Sequence, residues 1–339
     1  MKAKNTTKKY VLILRLLVLL FSVGLLIKMV DFRLVWRHIE DIPYYIFIAL
    51  VGIGMVRAWL SGLRWRLINP DVSKQLSQWQ YFRFLMIAHT FNLIMPGSLG
   101  GDFVKTAMAL KTVKNNRAHN LIAIVADRFI GLFSIIMLGS LAMIFATKIP
   151  DRSVFYRSFG FLIFGFSSVI LVSTNKFILK LVETICSHFG RLGRFLISFL
   201  NTWRSALLFF RQNYFRVFLA LLLCLPIHGI VFLTKFVVAK YMNIPLTFFD
   251  VCAIQALVWV IAAIPITISG AGVRELTVIY FLSFYGVEAE AATALSMYSY
   301  IVAVLLGFIG ILFLWNGNIA LPFRQTSLKA PSCEEGEEA

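Results

Sequence analysis

Two segments of this chain set proline, glycine and charge inside otherwise apolar sequence. The first reads NLIMPGSLGGDFVK, Asn92 to Lys105; the second reads IPITISGAGVRE, Ile264 to Glu275. In lipid an unpaired backbone group costs several kcal/mol, so a broken helix at membrane depth must be buried in protein or line a polar cavity. The two prolines, Pro96 and Pro265, stand 169 positions apart. Paired interruptions at corresponding places in two halves of a membrane protein point to a transport site. The chemistry such breaks offer is capture of an anion.

At the first break, Pro96 ends an inbound helix, and Gly97, Gly100 and Gly101 permit tight turning and close backbone approach. Asp102 is expected to cap an outbound helix starting at Phe103, whose free N–H groups form an anion site. Lys105 adds positive charge one turn in. At the second, Pro265, Ser269, Gly270 and Gly272 form the turn, and Thr267 and Ser269 add hydroxyls. Arg274 can offer a two-pronged fork to a phosphate, and Glu275 suits the positive end of the helix that follows. Blander readings compete. Lys105 could merely reach the interface, and Arg274 could pair with a distant acid such as Asp127. The high cost of intramembrane charge favours function at the first break.

Three further charged positions lie inside apolar runs. Asp127 and Arg128 are helical neighbours that point about 100° apart, so each needs a partner across the bundle. A structural ion pair and a functional role weigh equally for them. Arg57, Ser61 and Arg64 share one helix face. Arg57 is the pocket candidate, while Arg64 and Arg66 are assigned to the inner headgroups. Trp59, Trp65 and Trp259 read as interfacial or packing residues, and His89 and His228 as hydrogen-bonded structural histidines.

The elements that must position these residues are transmembrane helices. Hydrophobic residues make up 59% of the 339, charged ones only 14%, which excludes an ordinary soluble domain. The expected fold is all-α and polytopic, with about six spans and two re-entrant hairpins in an inverted repeat. Spans are expected at Tyr10–Val30, Tyr44–Ile68, Asn120–Thr147, Val154–Ser173, Arg216–Lys240 and Ala291–Trp315. The apolar stretches Tyr81–Met95 and Val251–Ile264 are too short to cross a core of about 30 Å and are expected to turn back at the breaks. Residues 1–320 form one membrane domain with pseudo-repeats 1–150 and 154–316; residues 321–339 are expected to be a disordered cytoplasmic tail.

The net charge of +17 follows the membrane rather than nucleic acid. With both termini cytoplasmic, inner segments carry 21 Lys and Arg against 7 outside, as the positive-inside rule requires. The basic, amphipathic connection Asn175–Phe215 is expected to lie in the inner interface. The four cysteines show no metal spacing and read as packing residues. No catalytic motif, nucleotide loop or metal ligand set is present in the sequence, so no enzyme and no cofactor are expected.

The PGSLGGDFVK stretch, Asp127-Arg128, PITISGAGVRE and the LRWRLI run at Leu63–Ile68 together resemble the membrane domain of lysylphosphatidylglycerol synthetases, over about residues 10–316. The resemblance carries over Pro96, Gly97, Gly100, Gly101, Asp102, Asp127, Arg128, Pro265, Gly270, Gly272, Arg274 and Glu275 as motif positions, with Lys105 standing where arginine is expected. It implies flippase-like movement of a lipid with a phosphate-containing headgroup across a bacterial cytoplasmic membrane. The lipid could be an aminoacylated phospholipid or a polyprenyl-linked intermediate. The soluble synthase domain is expected to be missing. Two alternatives remain: an accessory partner of a lipid-modifying glycosyltransferase or aminoacyl-lipid synthase, and an ion-coupled solute carrier.

Overall fold

A computed structural model describes residues 24–69, 75–94, 100–112, 117–146, 152–187, parts of 190–212, 213–263 and 272–315. Among these residues all regular structure is helical. The elements are α1 (Phe32–Glu40), α2 (Tyr44–Ile68), α3 (Gln78–Ile94), α4 (Gly100–Thr112), α5 (Arg117–Phe145), α6 (Arg152–Thr174), α7 (Lys176–Ser187), α8 (Tyr214–Tyr241), α9 (Phe248–Ala263), α10 (Val273–Ser283) and α11 (Ala289–Trp315). Four stretches are long and apolar enough to cross a membrane: α2, the Ala123–Phe145 part of α5, α8 and α11. The stretch expected to span at Val154–Ser173 forms the 23-residue α6. Most of the expected first span and the whole tail from 321 lie outside the described residues.

The two short apolar helices are slightly longer than their hydropathy suggests. α3 has 17 residues and α9 has 16, so each reaches about 24–26 Å. Both gain their extra turn from a capping box. The Ser77 N–H donates to Gln80 Oε1 at 2.7 Å and the Gln80 N–H to Ser77 Oγ at 3.3 Å. The Thr247 N–H donates to Asp250 Oδ2 at 2.9 Å, and the Asp250 N–H to Thr247 Oγ1 at 3.2 Å. In each box a side chain satisfies a donor that the helix start leaves orphaned. The boxes stand 170 positions apart.

Packing partners repeat at the same offset. α3 packs against α11, and α9 packs against α5; α2 and α8 cross each other; α3 lies beside α4, and α9 beside α10. Each short helix therefore docks on the last long helix of the other half. Small residues let the backbones approach. A Cβ on Gly310 would sit 2.3 Å from the Met86 carbonyl oxygen, and Thr90 Oγ1 donates to the Gly307 carbonyl at 2.7 Å. At the matching contact a Cβ on Gly139 would sit 2.5 Å from the Cβ of Ala256. Dispersion between closely packed helices is the main attraction available in lipid, where no hydrophobic force acts between them.

α1 fills most of the stretch between the first two expected spans. Asp31 accepts from the Arg33 N–H at 2.8 Å, and Val35 and Ile39, one turn apart, are buried against α11. α7 carries the amphipathic pattern of the basic connection: Leu179 and Cys186 are buried while Phe177, Leu181 and Ile185 are exposed.

Candidate cation-lined cavities

A cavity of about 720 Å³ opens between α2, α3, α4, α5, α8 and α9, lined on its polar side by Arg57, Ser61, Arg64, His89, Asn92, Asp102, Lys105, Asp127 and Arg128. The first break's helix and the Asp-Arg pair of α5 thus meet in one place. Their charges form a chain. Arg64 Nε pairs with Asp127 at 2.9 Å, Lys105 Nζ with Asp102 at 2.7 Å and with Asp127 at 3.7 Å, and Arg128 pairs with Asp102. Four cations face two carboxylates, so the lining keeps a positive surplus.

Three expectations change here. Arg64 does not reach the headgroups: its guanidinium is buried against Asp127 and donates to Cys224 Sγ at 3.3 Å. Hydropathy places a residue along a helix but says nothing about which neighbour it meets. Asp102 does not cap α4, which begins two residues earlier at Gly100; its carboxylate is occupied by Lys105 and Arg128. The Gly101 N–H donates instead to Asn92 Oδ1 at 2.7 Å. Gly101 is required by packing, since a Cβ there would lie 2.3 Å from the Ala88 carbonyl oxygen. Asp127 is not the partner of Arg274.

A second cavity of about 210 Å³ lies between α2, α3, α8, α9, α10 and α11, and its lining includes Arg57, Lys235 and Arg274 with no carboxylate among the described residues. Arg274 lies flat over Tyr300, 3.6 Å from the ring centroid. It donates to the Ser296 carbonyl at 3.3 Å and pairs with Glu275 at 3.3 Å. Stacking and a two-pronged donor face are what distinguish arginine from lysine at such a site. Glu275 accepts from the Gly272 N–H at 2.8 Å and from Ser296 Oγ at 2.9 Å, which fixes the start of α10. Gly272 has φ of 81°, a value that favours glycine. Lys235, a residue not singled out in the sequence, is 6% exposed and donates to the neutral Gln255 Oε1 at 2.6 Å. A lysine nearly two turns inside the end of a strongly apolar helix was the signal for it.

Arg57, His89 and Trp259 line both cavities. Arg57 makes no hydrogen bond or ion pair among the described residues, so its guanidinium is free at the junction. His89 also lacks the hydrogen bond expected of it there. His228 has one, 3.0 Å from Ser134 Oγ. Trp65 is fully buried beneath Lys105, whose Nζ stands 5.3 Å from the ring centroid, while the exposed Trp59 packs with the exposed Trp79 and the buried Phe82. Pro96, Gly97, Pro265, Ser269 and Gly270 lie outside the described residues, and Gly100 is described only in its backbone. Cys186, Cys224 and Cys252 are free and buried. Among the described residues no group of three His, Cys, Asp or Glu side chains could hold a metal ion.

Long apolar helices that enclose cavities with surplus positive charge define a polytopic membrane protein built to keep cations out of lipid. Residues 12–311 match the lysylphosphatidylglycerol synthase TM region, and the chain belongs to that family. The resemblance read from the two glycine breaks is thereby borne out. Neither a curated protein nor a solved structure matches the chain.

Proposed function

We propose that this protein moves a lipid with a phosphate-containing headgroup from one leaflet to the other, holding the phosphate on Arg57 between the two cavities. The observation that carries this reading is Arg57 itself, a guanidinium without a partner where two cation-rich cavities adjoin. A charge left unpaired at membrane depth costs several kcal/mol, so an anionic ligand is its natural complement. Membership of a family named for a phospholipid synthase supports lipid as the source of that anion. The exchanged packing and the 170-residue offset support an inverted repeat, with α3–α4 and α9–α10 as opposed re-entrant pairs and both termini cytoplasmic. Labelling single cysteines at Asn115 and Glu288 in a cysteine-free background tests this arrangement. Reaction from one and the same side of the membrane defeats it.

An ion-coupled solute carrier needs an acid free to load a proton, and Asp102 and Asp127 are each held by two cations. The lipid reading is accordingly preferred. It includes no chemical step. The test is transbilayer movement of fluorescent phosphatidylglycerol in proteoliposomes, read by dithionite bleaching. Arg57→Gln should lower the rate at least tenfold at unchanged protein incorporation. Wild-type rates for Arg57→Gln, or no movement above protein-free vesicles for the native chain with any anionic lipid, reject the proposal.

A further inference from the structure

The smaller cavity has features the larger one lacks. It brings Arg57 from α2, Lys235 from α8 and Arg274 from α10 around about 210 Å³, and among the described residues no carboxylate lines it. A water's share of liquid volume is about 30 Å³, so the space equals about seven waters. That holds a phosphate and a few further atoms, and any larger headgroup has to extend past Arg57 into the adjoining cavity of about 720 Å³.

Charge points the same way. In the larger cavity two carboxylates offset half of the positive charge; in the smaller, Glu275 pairs with Arg274 at 3.3 Å and is otherwise turned to Ser296 and to its own helix start, which leaves Arg57 and Lys235 without an acid. Lys235 is buried with only an amide oxygen as partner. A buried ammonium without an acid is costly and is relieved by an anion beside it. Three cations converging from three helices match a doubly charged phosphate monoester better than a singly charged diester. They repel a headgroup bearing an amine. Tyr298 and Ser299 add hydroxyls to the lining, and Arg274 is held in place by the Tyr300 ring, so its donor face is ordered before the anion arrives.

We propose that the smaller cavity is an anion subsite for a phosphate monoester, so that the lipid handled here presents a terminal phosphate and not a headgroup bearing an amine. The transport aspect rests on the lipid-moving function proposed above; the binding aspect does not. Phosphate on a lipid and free inorganic phosphate share this chemistry, and the experiment separates them.

The protein in phosphatidylcholine nanodiscs is titrated with dioleoyl phosphatidate, dioleoyl phosphatidylglycerol, lysyl-phosphatidylglycerol and inorganic phosphate, with tryptophan fluorescence and native mass spectrometry as readouts. Phosphatidate should bind at least tenfold more tightly than lysyl-phosphatidylglycerol and than inorganic phosphate. Lys235→Met should remove most of that preference, while Arg157→Gln, exposed on α6 and outside both cavities, should leave it in place. Equal affinity for phosphatidate and lysyl-phosphatidylglycerol in the native protein overturns the proposal without any variant having to fold. So does an undiminished preference in a folded Lys235→Met protein. Tighter binding of inorganic phosphate than of phosphatidate overturns the lipid assignment. Because binding is read without transport, a protein that binds phosphatidate selectively but moves no lipid refutes the transport function and leaves this subsite standing.

Discussion

Asp102, just past the first break, is held by a lysine of its own helix and an arginine of α5, and Lys105 in turn reaches Asp127, which Arg64 of α2 also binds. Glu275, just past the second break, bonds to the Gly272 N–H and to Arg274 in its own turn, with one neutral hydroxyl from α11. The first half therefore ties three helices together with charge, whereas the second secures its break with local and neutral hydrogen bonds. A buried ion pair gives little net stability while intact, but removing one partner strands a charge. The halves share their packing and differ in how much each would lose when an acid is neutralised.

That difference can be broken experimentally. Asp127→Asn should have the largest effect, about 3–5 kcal/mol of destabilisation, because it strands Arg64 and weakens the hold on Lys105. A lowered denaturation midpoint in mild detergent reads it, and a loss under about 1 kcal/mol would show that the charge chain is solvated. Gly101→Ala should follow, at about 1–3 kcal/mol, since its Cβ would press on a backbone oxygen of α3 that cannot swing aside. Gly272→Ala tests the second break by strain instead of contact. Its φ of 81° should make the change cost about 1–2 kcal/mol, seen in the same midpoint. Glu275→Gln should have the smallest effect, about 1 kcal/mol, because the amide oxygen still accepts from the Gly272 N–H while the amide NH2 can donate to Ser296 Oγ, and Arg274 keeps the Ser296 carbonyl. If Glu275→Gln destabilises as much as Asp127→Asn, the contrast between the halves is wrong.

The parts of the fold legible in the sequence were those written along one dimension. Apolar run length located α2, α8 and α11, and the proline-glycine breaks located the ends of α3 and α9. Ser77–Gln80 and Thr247–Asp250 are also local signals, but they lie just before the apolar runs counted at Tyr81 and Val251, so hydropathy passed over them. Arg57 was identified because it lies deep within its span. Arg64 was not, because about two turns nearer the helix end the same pattern also fits a headgroup contact. Only the arrival of α5 with Asp127 distinguishes the two. Lys235 was passed over for a related reason. Its importance comes from Arg57 and Arg274 facing it across a cavity, and neither is near it in sequence. α1 is nine residues long and lies among charges, and it has no periodic run long enough to be recognised before α11 covers it.

The contact between Thr90 and Gly307 has a consequence for biogenesis. The two residues are 217 positions apart, so at synthesis rates of about 5–20 residues per second α3 waits on the order of 10–40 s for α11. α9 does not wait, because α5 is already in the membrane when it emerges. Through that interval the face of α3 carrying Met86 and Thr90 lacks its glycine partner and must be covered by lipid, by an insertase or by another newly made chain. A ribosome stalled before α11 should therefore hold a first half that crosslinks through α3 to its surroundings, and a second half whose short helix is already docked.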